Sequence, residues 1–417
     1  DKHQACPYCG FTAPKIKEYV TKEITHSALT TQKCIIKYRA RRYKCSCCGK
    51  TYYEFNPFVF KSQKISILTV HNILKDLKDF NETFTSVARR YHVSPTSVST
   101  IFDKHVDIGR NPLPEIINFD EVYAFKSEKS KYVCVLLDFK KQIPVDVLPN
   151  RKKEYLLNYF QKIPLEERKK VKYACSDMYE VYRDVVHKVF PSCCMLLDYF
   201  HLSQDFHRKM NEVRIKVMKG YKDNKASDEY YLLKKFNWLL FKNPEDEDKY
   251  GRLFDVERER KYNSHFKSYM NYYDLRRKLL EINNDLTICY SLKLELVDFY
   301  SKSTIDNAQV NLEHLIRSCI DTNIEEMIAF SNNLINWKQE IINSFTIVGT
   351  EYKVEADKGQ VVVCNKKVNN AIIENRNKII KCIKNNANGY TNWSRFRNRV
   401  MYVLDPNTTF SLEPREK

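Results

Sequence analysis

Apolar and polar positions along this chain follow three successive rhythms. From 64 to 106 the rhythm is helical: Ile65, Leu68, Ile73, Leu74 and Leu77 form one stripe, and Phe84, Val87, Ala88 and Tyr91 follow at i, i+3, i+4 and i+7. His92 and Val93 make a short turn, Ser94 is a good N-cap and Pro95 a good first helical residue. A third helix follows, with Val98, Ile101 and Phe102 facing inward. Gly109, Pro112 and Pro114 then mark a linker. Beyond it the pattern predicts strands at 115–120, 131–139 and 143–148, a helix at 152–162, a strand at 171–176, a helix at 180–189 and a strand at 193–198. After Leu202 helical spacing takes over, as in Phe206, Met210, Val213 and Val217, and little strand pattern returns until Phe345. Trp238 and Trp337 in this block read as packing residues. Ile372, Ile373, Ile379, Ile380 and Ile383 predict one more helix.

Two of the predicted strands lead into acids. The runs are Ile116-Ile117-Asn118-Phe119-Asp120-Glu121-Val122 and Val171-Lys172-Tyr173-Ala174-Cys175-Ser176-Asp177-Met178. In one sheet Asp120 and Asp177 would sit side by side, and neighbouring carboxylates hold either a proton or divalent metal. Glu121 should point to the opposite face of its strand. Asp138 and Asp146 read as structural. Glu374 is the one acid between Lys366 and Arg399; an ion pair with Lys378 at i+4 is its plain alternative.

The cysteines change the picture at the N-terminus. Of 14, six lie in the first fifty residues, five of them in Cys6-Pro7-Tyr8-Cys9-Gly10 and Cys45-Ser46-Cys47-Cys48-Gly49. Two residues between thiolates let both sulfurs reach one tetrahedral Zn²⁺, and the following Gly allows the positive φ of a tight knuckle. Residues 1–55 therefore read as a zinc ribbon, its strands between Tyr19 and Tyr43. Cys47 competes as a ligand; Cys6, Cys9, Cys45 and Cys48 are the matched set. The remaining cysteines read as reduced core residues rather than a disulfide framework.

With 417 residues and 43% hydrophobic content the chain is long and apolar enough for several cores. No run approaches the roughly 18 apolar residues of a membrane span, and no secretory signal stands at its start, which favours a cytoplasmic protein without membrane partners. Net charge is +18 and uneven: residues 1–110 carry 19 Lys/Arg against 9 Asp/Glu, and residues 365–400 carry 9 against 1. Two basic ends suit a polyanion held at several places. In that light residues 64–108 read as a helix-turn-helix whose third helix enters the major groove. Its outward set is Thr96, Ser97, Ser99 and Thr100, with Arg89, Arg90 and Lys104 nearby. Three strands on short turns, then alternating helices and strands over 115–202, is the order of a ribonuclease H-like core. The fold class is α/β with all-α parts: that core, a helical insertion at 203–364, and a C-terminal core helix at 365–404.

Six stretches in this order resemble the DDE transposases of bacterial insertion sequences, and among them the ISL3 family. They are the two cysteine knuckles, TSVARRYHVSPTSV, NFDEVYAF, SDMYEVYRDVV, LLDYFHL, and NNAIIENRNKIIK with NGYTNWSRFR. Where relatives tend to carry Gly before the last acid, this chain has Ala371. The resemblance implies that Asp120, Asp177 and Glu374 form an acidic triad, the aspartates on adjacent strands and the glutamate on a facing helix. It implies two Mg²⁺ per active site, with Mn²⁺ as a substitute, and cleavage at the element's end followed by strand transfer. Asp198 and His201, in the family's D-x-F-H pattern, either support the site or cap the strand. Arg376, Lys378, Lys381, Arg395 and Arg397 would contact phosphates. The implied partners are double-stranded DNA, as terminal inverted repeats and target, and a second copy or larger synaptic complex; the implied location is the bacterial nucleoid. The rival readings are a silent transposase-derived regulator and a metal-dependent nuclease without strand transfer.

Overall fold

The computed structural model of this chain describes residues 5–27, 32–60, 63–125, 130–354 and 361–415; residues 1–4 and 28–31 of the expected ribbon lie outside that set. The chain opens with β1 (Lys15–His26) and β2 (Cys34–Lys44), an antiparallel pair extended by β3 (Thr51–Tyr53). Three helices follow: α1 (Ile67–Asp76), α2 (Phe84–Arg90) and α3 (Pro95–His105). Their starts obey the capping chemistry in the sequence. Ser66 accepts from the Thr69 N–H, Thr83 and Ser86 form a reciprocal capping box, and Ser94 accepts from the Ser97 N–H at 3.0 Å with Pro95 next. His92 takes φ +54°, the left-handed residue that turns the chain between α2 and α3.

The linker leads to β4 (Ile116–Val122), β5 (Val133–Asp138), β6 (Ile143–Leu148), α4 (Lys153–Gln161), a short α5 (Leu165–Arg168), β7 (Tyr173–Ser176), α6 (Glu180–Val189) and β8 (Cys194–Leu197). These follow the predicted strands and helices closely. Five strands make one mixed sheet in the order β6-β5-β4-β7-β8, with β5/β6 antiparallel and β7/β8 parallel. Six of the seven β4 residues are buried, so both faces of the strand are covered, as in a central strand, with Asn118 and Asp120 as buried polar residues on one of them.

The helical block comprises α7 (Tyr199–Lys219), α8 (Asp228–Lys235), a 3₁₀ turn at Asn237–Phe241, α9 (Tyr272–Glu281), α10 (Asn284–Lys302), α11 (Ala308–Asp321), α12 (Glu325–Asn336) and α13 (Lys338–Asn343). Two small hairpins interrupt it, against the all-helical expectation: β9 (Glu247–Asp248) with β10 (Gly251–Arg252), and β11 (Lys261–Asn263) with β12 (Ser268–Met270). Strands of two and three residues are too short for a period-2 pattern to register. A longer hairpin, β13 (Ile347–Val354) with β14 (Val361–Lys367), closes the block, where the strand pattern resumes after Phe345. The chain ends with α14 (Ala371–Asn386) and α15 (Trp393–Leu404). Among the described residues no helix is long and apolar enough to cross a membrane.

The chain divides into two compact units. The first takes in Asp1–Pro114, Asn118–Lys162 and Ala371–Lys417. Its main core is continuous from α1–α3 (Val70, Leu74, Val87, Phe102) through α14 and α15 (Ile373, Ile380, Phe396, Val400) to the sheet (Val122, Val135, Val147). The three N-terminal helices therefore share a core with the C-terminal helices. Tyr402 donates its hydroxyl to the Leu74 carbonyl at 3.0 Å, and buried Arg399 donates to the Asp79 and Glu82 carbonyls at 2.8 and 2.7 Å. The second unit takes in Glu115–Ile117 and Ile163–Asn370. Its core is built from the helical block, around Phe206, Met210, Leu279, Leu312, Phe330 and the buried Trp337; Trp238 is partly buried against Tyr272.

Candidate active site

Within the first unit, β4 carries Asp120 into the interior, where it is 9% exposed. A buried carboxylate needs hydrogen-bond donors. Here Oδ1 accepts from the Glu121 N–H at 2.8 Å and Oδ2 accepts from the Asn377 Nδ2 at 2.7 Å. Asn377 stands on α14 three residues beyond Glu374, on the buried stripe of Ile373, Ile380 and Ile383. Helix α14, which bears the last acid, is thus tied to Asp120. Sequence reasoning missed Asn377. The available signal was one polar residue inside an isoleucine stripe at helical spacing. Because a partner of this kind orients a site carboxylate, Asn377→Leu should lower activity by about 10- to 100-fold with little change in DNA affinity. Single-turnover rates and binding titrations check this; unchanged rates would make the bond purely architectural.

The neighbouring acids separate by their partners. Glu121 forms an ion pair with Arg151. Asp138 accepts from the Lys140 and Lys141 N–H groups at 2.9 and 3.0 Å, closing the β5–β6 turn. Asp146 accepts from the Tyr159 hydroxyl and from Arg397, each at 2.7 Å. Both aspartates therefore have structural work, as expected.

In the second unit Asp177 follows β7 directly, and the buried Ser176 donates its hydroxyl to the Asp177 carbonyl at 2.8 Å. Asp198 ends β8, its N–H donating to the Ser176 carbonyl at 3.1 Å. It stands at the N-cap of α7 yet makes no side-chain cap bond there. Instead Oδ1 accepts at 3.3 Å from the N–H of Asn370, the residue before the first of α14, and Oδ2 lies 3.8 Å from His201 Nε2.

The expected DNA-contact residues fall into two groups. Arg89, Thr96 and Thr100 are exposed, as are Lys378 and Lys381, with Ser97 and Lys104 half-buried. Ser97 shares a hydroxyl hydrogen bond with Ser94 at 2.8 Å, and the remaining residues also have intramolecular partners. Ser99 is buried and donates to the Thr96 carbonyl at 3.0 Å, which corrects its expected outward position: it lies one residue from Val98 and three from Phe102, on the inward edge of α3. Arg90 bridges Asp76 and Glu82. Arg395 is bound to Asp103, Arg397 to Asp146 and the Ile108 carbonyl, and Arg376 to the Gln142 carbonyl. A charge count cannot see such partners.

Cys6, Cys9, Cys45 and Cys48 converge, all four sulfurs within 4.8 Å of one another. The two knuckles repeat one geometry. Gly10 N–H donates to the Cys6 carbonyl and Gly49 N–H to the Cys45 carbonyl, and both glycines take positive φ, +74° and +72°. Backbone N–H groups of Cys48 and Cys47 lower the Cys45 thiol to about 7, against the opposing effect of burial. Cys47 is exposed and outside the cluster. Four convergent sulfurs are compatible with a structural zinc.

A family model for transposases, that of the ISL3 DDE enzymes, matches residues 117–356. The transposase for insertion sequence element IS1001 of Bordetella parapertussis is 19% identical over 408 residues, spanning 97% of this chain and 90% of that protein. With more than half its length matched by that model, the chain belongs to the ISL3 family of transposases.

Proposed function

We propose that this chain binds the ends of an insertion sequence, cuts a DNA strand there and joins it to target DNA, using Asp120, Asp177 and Glu374 as one acidic site on a ribonuclease H-like core. The observation that carries the reading is the Asn377–Asp120 hydrogen bond, because it brings the helix of the third acid to the strand of the first. The run that leads into β4 supports the second aspartate, because within the second unit Glu115 meets the start of β7. The Lys172 and Tyr173 N–H groups both donate to the Glu115 carbonyl, at 2.8 and 3.1 Å. Asp120 lies five residues beyond Glu115, and Asp177 five beyond Lys172.

An all-oxygen donor set suits Mg²⁺. Asp120 belongs to that donor class, and the Glu121 N–H and the Asn377 amide orient its carboxylate. Bound divalent ions supply activation of the attacking oxygen and stabilisation of the leaving one in an in-line displacement at phosphorus. The chain's own contribution is positioning. Asn377 orients Asp120, and Asp198 holds the residue that precedes α14. None of the three acids need act as a general base. A water attacks first and frees a 3′-hydroxyl; that hydroxyl then attacks a phosphodiester of the target.

Arg89, Thr96, Ser97, Thr100 and Lys104 on the three-helix unit, with Lys378 and Lys381 on α14, form the DNA-contact set in this reading. The four cysteines hold one Zn²⁺ that braces the ribbon. Joining two element ends needs two such sites, hence at least two chains. The test is an oligonucleotide assay with duplex DNA taken from the flanks of the gene, in Mg²⁺. Cut and joined products are expected. Cut products alone mark a nuclease, and binding without cutting marks a regulator.

A further inference from the structure

The helical block of the second unit contains a cavity of about 520 Å³ that the catalytic reading does not use. Its walls come from α8, the two small hairpins β9–β10 and β11–β12, and the start of α9. Hairpins this short are not stable alone, yet these are firmly built. Arg258 pairs with Asp248 at 2.6 Å and donates to the Arg252 carbonyl at 3.0 Å. Buried Asn271 donates to the Val256 and Arg258 carbonyls at 3.1 and 3.2 Å. Leu253, Phe254 and Met270 anchor the hairpins in the core.

Against that rigid base, three tyrosines are left outside. Tyr250, Tyr262 and Tyr269 are 67%, 58% and 69% exposed. Each sits beside a lysine: Lys249-Tyr250, Lys261-Tyr262 and Lys267-Ser268-Tyr269. Among the described residues none of those lysines makes an ion pair, whereas Arg252, Arg258 and Arg260 all do. Deeper in, Tyr231 lies flat on His265 with ring centroids 4.0 Å apart, and Tyr272 lines the floor. Asn263, Ser264 and Glu259 add hydrogen-bond donors and acceptors to the lining.

Exposed aromatic rings interleaved with lysines outside any ion pair suit stacked bases and a phosphate backbone; Lys249 lies over the Tyr250 ring at 4.6 Å, where a base would displace it, and Tyr262 meets Tyr269 edge-on at 5.4 Å. The volume is that of a small-molecule pocket, large enough for one nucleotide. The mixed polar lining fits a base edge that carries both donors and acceptors. A base inside a duplex could not reach such a pocket; one taken out of the stack could. We propose that this pocket receives an unpaired nucleotide of the DNA being processed, its base stacked on Tyr250 and Tyr262. The inference rests on the reading of the chain as a DNA-cutting transposase and adds a second DNA site to it.

The test compares the full chain's affinity, at fixed salt, for a duplex with a short unpaired bubble and for the fully paired duplex. The wild type should favour the bubble. Tyr250→Ala with Tyr262→Ala should weaken bubble binding by about 10-fold or more while changing paired-duplex binding less than about twofold. The two Tyr→Phe changes should retain the preference, since stacking needs only the ring. Equal affinity of the wild type for both duplexes, or an unchanged preference in the alanine variant, overturns the proposal. So does loss of a dimer on sedimentation in that variant with DNA affinity intact, which would make the pocket a contact between copies. Cutting of paired element ends by the wild type is scored separately, so failure of the pocket and failure of the transposase reading are told apart.

Discussion

Asp120→Ala, Asp177→Ala and Glu374→Ala should each lower strand cutting by about 10³-fold or more, equivalent to about 4 kcal/mol of barrier, while binding of element ends stays within about twofold. The separation follows from where the residues stand. The proposed contact set lies on α2, α3 and α14, whereas Asp120 is a buried residue of β4. Alanine at 120 carries a second cost, because it strands the Asn377 amide that donates to the carboxylate. A buried donor left unpaired costs about 1–3 kcal/mol of stability. Asp120→Asn is the gentler probe: its one carbonyl oxygen can still accept from Asn377, at the cost of the bond from the Glu121 N–H, while the negative charge is gone. The measurement is single-turnover cutting in Mg²⁺ beside a binding titration and a melting curve. Wild-type cutting in any one variant would remove that residue from the site.

Loss of zinc should have the next largest effect. The ribbon's knuckle end has a small core of its own, made of Cys6, Tyr43, Cys45 and Tyr52 with Cys48 against it. That much apolar surface cannot hold a three-stranded sheet together, whereas a structural zinc contributes about 10–16 kcal/mol near neutral pH. Metal analysis should find one zinc per chain, and Cys45→Ala should contain none. In that variant trypsin should cut within β1 and β2, which hold Lys22, Lys37, Arg39, Arg41 and Arg42, at least about 10-fold faster than in the wild type. The second unit, whose core contains none of these residues, should keep its melting transition. Wild-type protein that holds no zinc and resists trypsin equally would show that the four sulfurs need no metal.

Local chemistry explains what could be read in advance. Ser94 and Pro95 announce a helix start because a side-chain acceptor and a missing N–H meet the needs of a first turn, and α3 begins there. The apolar run before Asp120 gives a central strand because both its faces must be covered. The two knuckles were legible because ligand spacing and the glycine are both local. What escaped the reading depends on residues far apart in sequence. Asn377 and Asp120 are 257 positions apart, and Arg395 reaches Asp103 across 292. No periodicity announces that an arginine in a basic stretch will be consumed by a distant acid. The small hairpins failed for the opposite reason, being too short to carry a pattern.

The central claim is that the three acids converge on one pair of divalent cations. The most direct measurement replaces Mg²⁺ by Fe²⁺ and adds ascorbate and peroxide, so that radicals generated at the bound iron cut the nearby backbone. Mapping of the fragments should give scission close to positions 120, 177 and 374 together, all suppressed by excess Mg²⁺ and all lost in Asp120→Asn. Scission near one of those positions without the other two would contradict a shared site.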